Sequence, residues 1–287
     1  MRKLHLSMAV GVFAIAFTML NACTKTQTEP TVPNVGVNDP SQQNPDPNGN
    51  NNEAATLNYS KKTTAVMLEF TSTGCPGCGG WGKPTFKSIT EANATDVTPI
   101  AVHIKYGDPM ITNESNALGA NRHGQYYTPQ IWVNDVNGIV LQGGINASAS
   151  IQKINDEIQT SIAMEQPALS AKVEKDGNML KVTYGTKFID VMASGEYALS
   201  CYLMEDGLEY YQTSSASNPT IHNHVIRTSA DGAFGKTFTS TDLTDSEMKR
   251  VHTFDISAYN SDNVYVAVIL WKKDGERFMP VNGFSVK

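Results

Sequence analysis

Short apolar runs separated by turn-forming residues begin near Leu57, and the first of them alternate with helical patterns. Ala65–Phe70 is a mostly apolar run, interrupted by Glu69, of the length typical of a central strand. A helix is predicted from Cys78 to Ala92, and Pro99–Tyr106 reads as a second strand parallel to the first. Asn113 is expected to cap a short polar helix. This part of the chain therefore predicts a β-α-β unit.

The next segment predicts a hairpin and a longer helix. Gln130–Asn134 and Ile139–Gln142 flank Asn137-Gly138, a strong turn signal. From Ser148 to Met164, isoleucines recur at helical spacing. The whole order, βαβ followed by ββα, predicts an α/β domain over residues 57–166.

After Gln166-Pro167, which stops the helix, the pattern changes to strands joined by short turns. Leu199, Cys201 and Leu203 alternate with other residues and are expected to share one face of a strand. Several short strands with such turns predict an all-β, immunoglobulin-like sandwich domain over residues 167–287. The predicted strands are Leu169–Lys175, Met179–Tyr184, Tyr197–Met204, Val264–Trp271 and Arg277–Phe284.

The N-terminus has the pattern of a targeting segment rather than of a folded element. Arg2 and Lys3 precede the apolar stretch Leu4–Leu20, which ends at Cys23. This resembles a bacterial lipoprotein signal peptide over residues 1–23, which implies an acylated Cys23, for example a palmitoylated one. An ordinary cleaved signal and a transmembrane anchor are the alternatives. Residues 24–56 are rich in Pro and Asn and predict a disordered tether.

Composition narrows the function classes. The chain has 287 residues, a net charge of −6 and 40% hydrophobic residues. No long block of one charge sign is present, which argues against nucleic acid as a partner. Export through the signal peptide would place the cysteines in a compartment where disulfides persist.

The strongest chemical signal is the pair Cys75 and Cys78, which follows the first strand and a turn of small residues. A cysteine at a helix N-terminus is favoured as a thiolate, and the second cysteine lies one helical turn further on. The pair therefore predicts thiol–disulfide exchange. Half of a zinc site and a structural disulfide are the alternatives, although the remaining cysteines, Cys23 and Cys201, are single and distant.

Around these cysteines the sequence resembles the thioredoxin superfamily. Glu69 stands six residues before Cys75, where thioredoxins keep a buried acid, and Pro84 stands close to their helix proline. Thr128-Pro129 looks like the loop whose proline is cis and faces the active disulfide. Gly74 departs from the pattern, because thioredoxins have an aromatic residue there.

Nearly the whole chain after residue 23 resembles the thioredoxin-like outer-membrane lipoproteins named after a twenty-eight-kilodalton member. The resemblance implies an outer-membrane lipoprotein of a diderm bacterium, facing the periplasm or the outside. It also implies Cys75 as the attacking thiolate, Cys78 as the resolving thiol and Glu69 as the proton acceptor. Thr128 and Pro129 would offer backbone to a substrate, a protein or peptide thiol. The alternative function is a surface binding protein or adhesin in which Cys75–Cys78 is a structural disulfide.

No cofactor and no metal are predicted. His222 and His224, two apart, would share a face of a strand and could bind a metal with His252, but ordinary histidines are the favoured interpretation. His123 is expected to be a loop histidine without a role at the sulfurs. Cys201 is expected to be buried and to pack like a small hydrophobic residue. Copper binding is disfavoured because only two residues separate Cys75 from Cys78.

Overall fold

The computed structural model describes residues 54–105 and 107–287. The predicted signal peptide, the predicted lipidation site Cys23 and the tether as far as residue 53 lie outside the described residues, as does Tyr106. All described residues belong to one compact unit.

Strands dominate the described residues, and most predicted elements are present within two or three residues of their expected bounds. The strands are β1 Ala65–Thr71, β2 Val97–His103, β3 Gln130–Val133, β4 Val136–Asn137, β5 Ala168–Asp176, β6 Met179–Lys187, β7 Tyr197–Glu205, β8 Leu208–Tyr210, β9 Thr220–His222, β10 Val225–Ser229, β11 Lys236–Phe238, β12 Glu247–Asp255, β13 Val264–Asp274 and β14 Arg277–Val286. The α-helices are α1 Lys83–Ala92, α2 Asn113–Asn121 and α3 Ala147–Ile162. Among the residues described, no helix has the length and apolar character needed to cross a membrane.

A single nine-stranded sheet runs through the molecule in the order β14-β13-β7-β10-β2-β1-β3-β4, with β11 also paired to β7. Its two halves meet where Val225 on β10 pairs in parallel with Ala101 on β2. The amide of Ala101 also donates to the carbonyl of His224 at 2.7 Å. The chain is therefore a mixed α/β protein whose main sheet continues past residue 166. The predicted division into a 57–166 and a 167–287 domain stays a prediction.

The central strand β1 is buried on both faces, as its mostly apolar run predicts. Ala65 and Met67 pack towards α1 and α3. Leu68 and Phe70 on the opposite face pack in a core shared with Tyr202 and other residues of the second half of the chain. Glu69 is on the same face as Ala65 and Met67 by alternation, and it is buried beneath the helices.

The C-terminal half adds a second layer. Strands β12, β6 and β5 form a separate three-stranded sheet. Its apolar side chains pack in one core with Leu199, Cys201 and Leu203, which share a face of β7 as predicted. The other face of β7 is buried as well, through Tyr202 and Met204, because β7 is an inner strand of the large sheet.

The predicted hairpin turn at Asn137-Gly138 is wrong. The chain turns at Asn134-Asp135, where Asn134 adopts a left-handed φ of 48°, and β4 ends at Asn137. Gly138 instead serves close packing, since a β-carbon there would lie 2.2 Å from Cγ1 of Ile154 on α3. The glycine after Asn137 is thus required by packing against α3, not by a turn.

The predicted cap of α2 is also wrong by one residue. Thr112, not Asn113, caps the helix: its hydroxyl accepts from the amide of Ser115 at 3.1 Å. The Ser115 hydroxyl in turn accepts from the amide of Thr112 at 2.9 Å. This reciprocal pair satisfies two amides at the helix end, which explains why the helix begins after Thr112.

Candidate redox site

The two predicted cysteines form a disulfide at the end of the central strand. Cys75 and Cys78 are joined across the turn that follows β1. Cys78 begins a π-helical turn, Cys78–Gly82, which passes directly into α1 at Lys83. Pro84 is the second residue of α1, directly after the π-helical turn. The strand–turn–helix context predicted from the sequence is therefore present.

The local backbone favours negative charge on the Cys75 sulfur. The amide of Cys78 donates to Sγ of Cys75 at 3.1 Å. A donor aimed at a sulfur from a helix N-terminus stabilises a thiolate more than a thiol. After reduction, Cys75 would thus be the better nucleophile of the pair.

Asp108 holds one side of the turn before the cysteines. Its carboxylate accepts from the amide of Thr73 at 2.7 Å, from the amide of Met110 at 2.8 Å and from Nδ1 of His103 at 2.7 Å. Burial would raise the pKa of Asp108, but His103 and the backbone amides outweigh it and lower the pKa. A charged Asp108 therefore fixes the backbone that leads to Cys75.

The other side of the turn is held by Gln212, which lies in the loop between β8 and β9. Its Nε2 amide donates to the carbonyls of Ser72, Thr73 and Cys75 at 3.1, 3.2 and 3.2 Å. The amide of Thr213 adds a bond of 2.8 Å to the carbonyl of Thr73. We call residues 211–219 the covering loop.

The covering loop packs against the helix as well as the turn. A β-carbon on Gly79 would lie 2.1 Å from the carbonyl oxygen of Thr213, so only glycine permits this approach. Both cysteines are buried: Cys75 is 5% exposed and Cys78 fully enclosed. The disulfide is therefore shielded in the described conformation, although Gly74 before it has no side chain.

Pro129 closes the site from a third direction. The Thr128-Pro129 peptide bond is cis, and Pro129 is buried. A β-carbon on Gly77 would lie 3.1 Å from Cδ of Pro129, and one on Gly82 would lie 2.5 Å from its Cβ. The Thr128 hydroxyl is buried without a hydrogen-bond partner. The proline thus packs directly on the segment that carries both cysteines.

Glu69 lies beneath this segment, and one oxygen of its carboxyl group is unsatisfied. A β-carbon on Gly82 would be 3.5 Å from its Oε1, which has no hydrogen-bond partner. Burial raises the pKa of Glu69 to about 7, and the positive charge of Lys83 only partly offsets it. Burial likewise lowers the pKa of Lys83, against the opposing effect of Glu69. A carboxyl group with this pKa can both accept and release a proton near neutral pH.

The structure thus brings Cys75, Cys78, Glu69, Thr128 and Pro129 into one region, and their chemical roles stay predictions. Sequence reasoning missed three groups of residues in the site: Gln212 with the covering loop, Asp108 with its partner His103, and Lys83. Lys83 carried a usable signal, since it lies on the helix of the cysteines. The others are joined to the turn by tertiary contacts that no local pattern shows.

The histidine pair is arranged differently from the prediction. His222 ends β9, whereas His224 has a left-handed φ of 60° before β10, so the two do not share a strand face. The His222 ring packs edge-on against His103, and Nδ1 of His224 is 2.8 Å from the hydroxyl of Tyr265. Among residues 54–105 and 107–287, no three His, Cys, Asp or Glu side chains are grouped as metal ligands.

Two further sequence interpretations concern single residues. Cys201 is a free, fully buried cysteine, as predicted, and burial raises its pKa far above the usual range. His123 is half exposed on a loop, where its ring packs against Trp132 and its Nε2 lies 3.1 Å from the carbonyl of Asp135.

Fold and site together define a mixed α/β protein with a disulfide at the end of its central strand. The structure is similar to that of HBP35 of Porphyromonas gingivalis: the TM-score is 0.63, the identity is 15%, and the match covers 79% of this chain and 76% of that chain. A domain of the outer membrane lipoprotein Omp28 from Porphyromonas gingivalis matches 42% of this chain and 84% of its own length at 18% identity, with a TM-score of only 0.31. No protein-family model and no curated protein sequence matches the chain. These comparisons establish similarity of fold to HBP35.

Proposed function

We propose that this protein is an exported, lipid-anchored thiol–disulfide oxidoreductase that acts on protein or peptide thiols through Cys75 and Cys78. One observation carries the proposal: the Cys75 sulfur of the disulfide accepts an amide hydrogen bond, and the helical segment that begins at Cys78 lies over Oε1 of Glu69, which is buried without a hydrogen-bond partner. An inert disulfide needs neither the aimed amide nor a carboxyl group left without partners, whose burial is costly.

In the reduced form, the Cys75 thiolate attacks one sulfur of a substrate disulfide. A mixed disulfide forms, and the substrate's S–S bond breaks to release one substrate thiolate. Glu69 then accepts the proton of the Cys78 thiol. The resulting Cys78 thiolate attacks Sγ of Cys75 and expels the second substrate thiolate, so the substrate is reduced and Cys75–Cys78 is oxidised. The same steps in reverse oxidise a substrate dithiol.

The backbone of Thr128 and Pro129 is the proposed surface for the substrate strand. It adjoins the segment that carries the cysteines, as the contacts of Pro129 with the positions of Gly77 and Gly82 indicate. Because the covering loop shields Cys75, substrate access requires that loop to move. The C-terminal half therefore controls access as well as forming part of the sheet.

The proposed location is the outer membrane of a diderm bacterium. The protein would belong to the outer-membrane lipoprotein family that its sequence resembles. The support for this location is the signal-like N-terminus that ends at Cys23, together with a cysteine pair suited to an oxidising compartment. The Pro- and Asn-rich residues 24–56 would tether the folded part to the lipid.

A redox titration tests this function. The fragment 54–287 is equilibrated in glutathione buffers and alkylated, and the thiols are counted by mass, with Cys75→Ser and Cys78→Ser separating the pair from Cys201. We expect a midpoint between about −270 and −120 mV, the range of known exchange proteins. We also expect mixed disulfides to be trapped on Cys75 when Cys78 is replaced. Exchange activity that survives Cys75→Ser would refute the proposal.

A second candidate function is a surface binding protein in which the disulfide is structural. The burial of Cys75 under the covering loop specifically favours it. In that case the pair stays oxidised below about −300 mV, as structural disulfides do, and Cys78→Ser traps no partner. The same titration therefore separates the two functions.

A further inference from the structure

A cavity of about 220 Å³ lies between α1, the sheet and the segment that joins β9 to β10. Its apolar walls include Phe86, Ala101 and Ile221. For comparison, an apolar cavity of about 150 Å³ is large enough to hold benzene. The cavity therefore has room for a small organic molecule.

Three polar atoms on the cavity's lining residues are buried and have no hydrogen-bond partner. They are Oε1 of Glu69, Oγ1 of Thr90 and Nε2 of His222. Glu69 is 3% exposed and His222 2% exposed, so bulk water does not solvate these side chains freely. Buried polar groups are normally satisfied, and three orphans around one space indicate an occupant that satisfies them.

The hydrogen-bonding character of each group can be assigned. Burial lowers the pKa of His222 to about 3, and its ring bonds to the backbone of Tyr210. Because Nε2 is the nitrogen without a partner, Nδ1 makes that bond, and Nε2 presents a lone pair. His222 thus needs a hydrogen donor, and the Thr90 hydroxyl can supply or accept a hydrogen.

Lys83 provides a half-buried positive charge in the cavity lining. It lines the cavity, is half-buried, and takes part in no hydrogen bond or ion pair among the described contacts. Its charge acts on Glu69, His222 and His224. Lys87, at the same wall, is different because it is exposed and paired with Glu91 at 2.7 Å. The cavity therefore holds one unpaired cation.

We propose that this cavity binds a small organic carboxylate that has an apolar body and a neighbouring hydroxyl or amino group. The carboxylate pairs with Lys83 and accepts from Thr90. The neighbouring donor bonds to Nε2 of His222 and, where it is an amino group, also to Oε1 of Glu69. The apolar body packs against Phe86, Ala101 and Ile221. The cavity shares Glu69 with the proposed redox function, but ligand binding requires no reaction at the disulfide.

Calorimetric titration of the oxidised fragment 54–287 tests the site with a matched set of probes. L-3-phenyllactate and L-phenylalanine carry both groups, 3-phenylpropanoate lacks the donor, and phenethylamine lacks the carboxylate. We expect saturable binding of at least one complete probe with a Kd below about 1 mM. Each incomplete probe should bind roughly tenfold more weakly or worse, because a hydrogen bond to a charged or orphaned buried group is lost.

Variants place the binding in this cavity. Lys83→Met keeps the length of the side chain and should weaken a complete probe by roughly tenfold or more, and Thr90→Val should weaken it severalfold. Lys87→Met is the matched control on the same helix and should leave the Kd within about twofold, because its charge is exposed and screened. Far-ultraviolet circular dichroism checks that each variant is folded.

Two results would overturn the proposal. One is the absence of binding of every probe up to about 10 mM, which would show that the cavity holds solvent only. The other is binding that Lys83→Met and Lys87→Met weaken equally, which would place the probe elsewhere. Neither result bears on the redox titration, so the two proposals fail separately.

Discussion

Burial of the Glu69 side chain lowers the stability of the folded protein near neutral pH. Oε1 of its carboxyl group is buried without a hydrogen-bond partner, and burial raises the pKa of Glu69 from the ordinary 4.5 to about 7. Between these values the folded protein binds more protons than the unfolded chain, so stability falls as the pH rises from about 4.5 to 7.

Glu69→Gln removes this loss. Relative to the wild-type protein, the variant should gain on the order of 3 kcal/mol in free energy of unfolding between pH 4.5 and pH 7.5, because each pKa unit corresponds to about 1.4 kcal/mol. Urea unfolding of the oxidised proteins across this range measures the gain. Glu91→Gln, an exposed partner of Lys87, should show no comparable trend. A pH-independent difference for Glu69→Gln would contradict the assigned pKa.

At the residue scale, the sequence located the chemistry that is close together in the chain. Cys75, Cys78 and Glu69 lie on one strand–turn–helix unit, and their spacing could be read directly. Gln212 could not be found in this way, since it bonds to the carbonyl of Cys75 across 137 residues. The sequence pairs His222 with His224, which is close in the chain. In the structure, the ring of His222 packs against His103 instead.

At the scale of elements, two adjacent glycines offer a sharp test of the covering loop. A β-carbon on Gly79 would overlap the carbonyl oxygen of Thr213, whereas one on Gly80 would find its nearest atoms at 3.8 Å. Gly79→Ala should therefore displace the loop and weaken its hydrogen bonds to the turn. We expect the disulfide to be reduced by dithiothreitol roughly tenfold faster, which corresponds to losing about one such bond.

Gly80→Ala is the matched control, because it adds the same methyl group to the same helical turn. It should be reduced at the wild-type rate, because the nearest atoms lie at an ordinary 3.8 Å. Stopped-time alkylation followed by mass spectrometry gives both rates. Equal rates for Gly79→Ala and the wild-type protein would show that the loop does not limit access to Cys75.

A second prediction concerns the packing of α3. Gly138→Ala should lower the free energy of unfolding by about 1–3 kcal/mol, because its β-carbon would overlap Ile154 in a filled core. Gly119→Ala on α2 has its nearest contact at an ordinary 3.4 Å and should be neutral or slightly stabilising. Urea unfolding compares the two. A tolerated Gly138→Ala would contradict the close approach of α3 to this position.

At the scale of the whole molecule, the two halves share both a sheet and a core. Strand β2 pairs with β10, and Phe70 and Ile100 lie in the same core as Tyr202 and Trp271. A fragment of residues 54–166 would leave this apolar face and the edge of β2 without cover. We expect it to bind a hydrophobic dye and to unfold without a cooperative transition.

The full fragment 54–287 is the control and should unfold in one sharp transition. Differential scanning calorimetry of both fragments measures this. A sharp transition for 54–166 alone would instead support the division into independent domains at residue 166 that the sequence predicts.

Local signals explain which parts of the fold could be predicted. The hairpins β5–β6 and β13–β14 turn at Gly177 and Gly275, both at positive φ. A short stretch of sequence is enough to recognise such a turn. The junction between β10 and β2 rests on the single register pair Val225–Ala101. No local sequence pattern in either strand indicates which strand it pairs with. The continuity of the large sheet could therefore not be read from the sequence.

The order of synthesis gives the covering loop a further consequence. A chain emerges from the ribosome N-terminal end first, so Cys75 and Cys78 appear well before Gln212, which later lies over them. Until Gln212 has folded into place, the covering loop does not shield the two sulfurs from oxidants or from other thiols. During synthesis the two sulfurs thus pass through a period of exposure that ends when the covering loop folds over them.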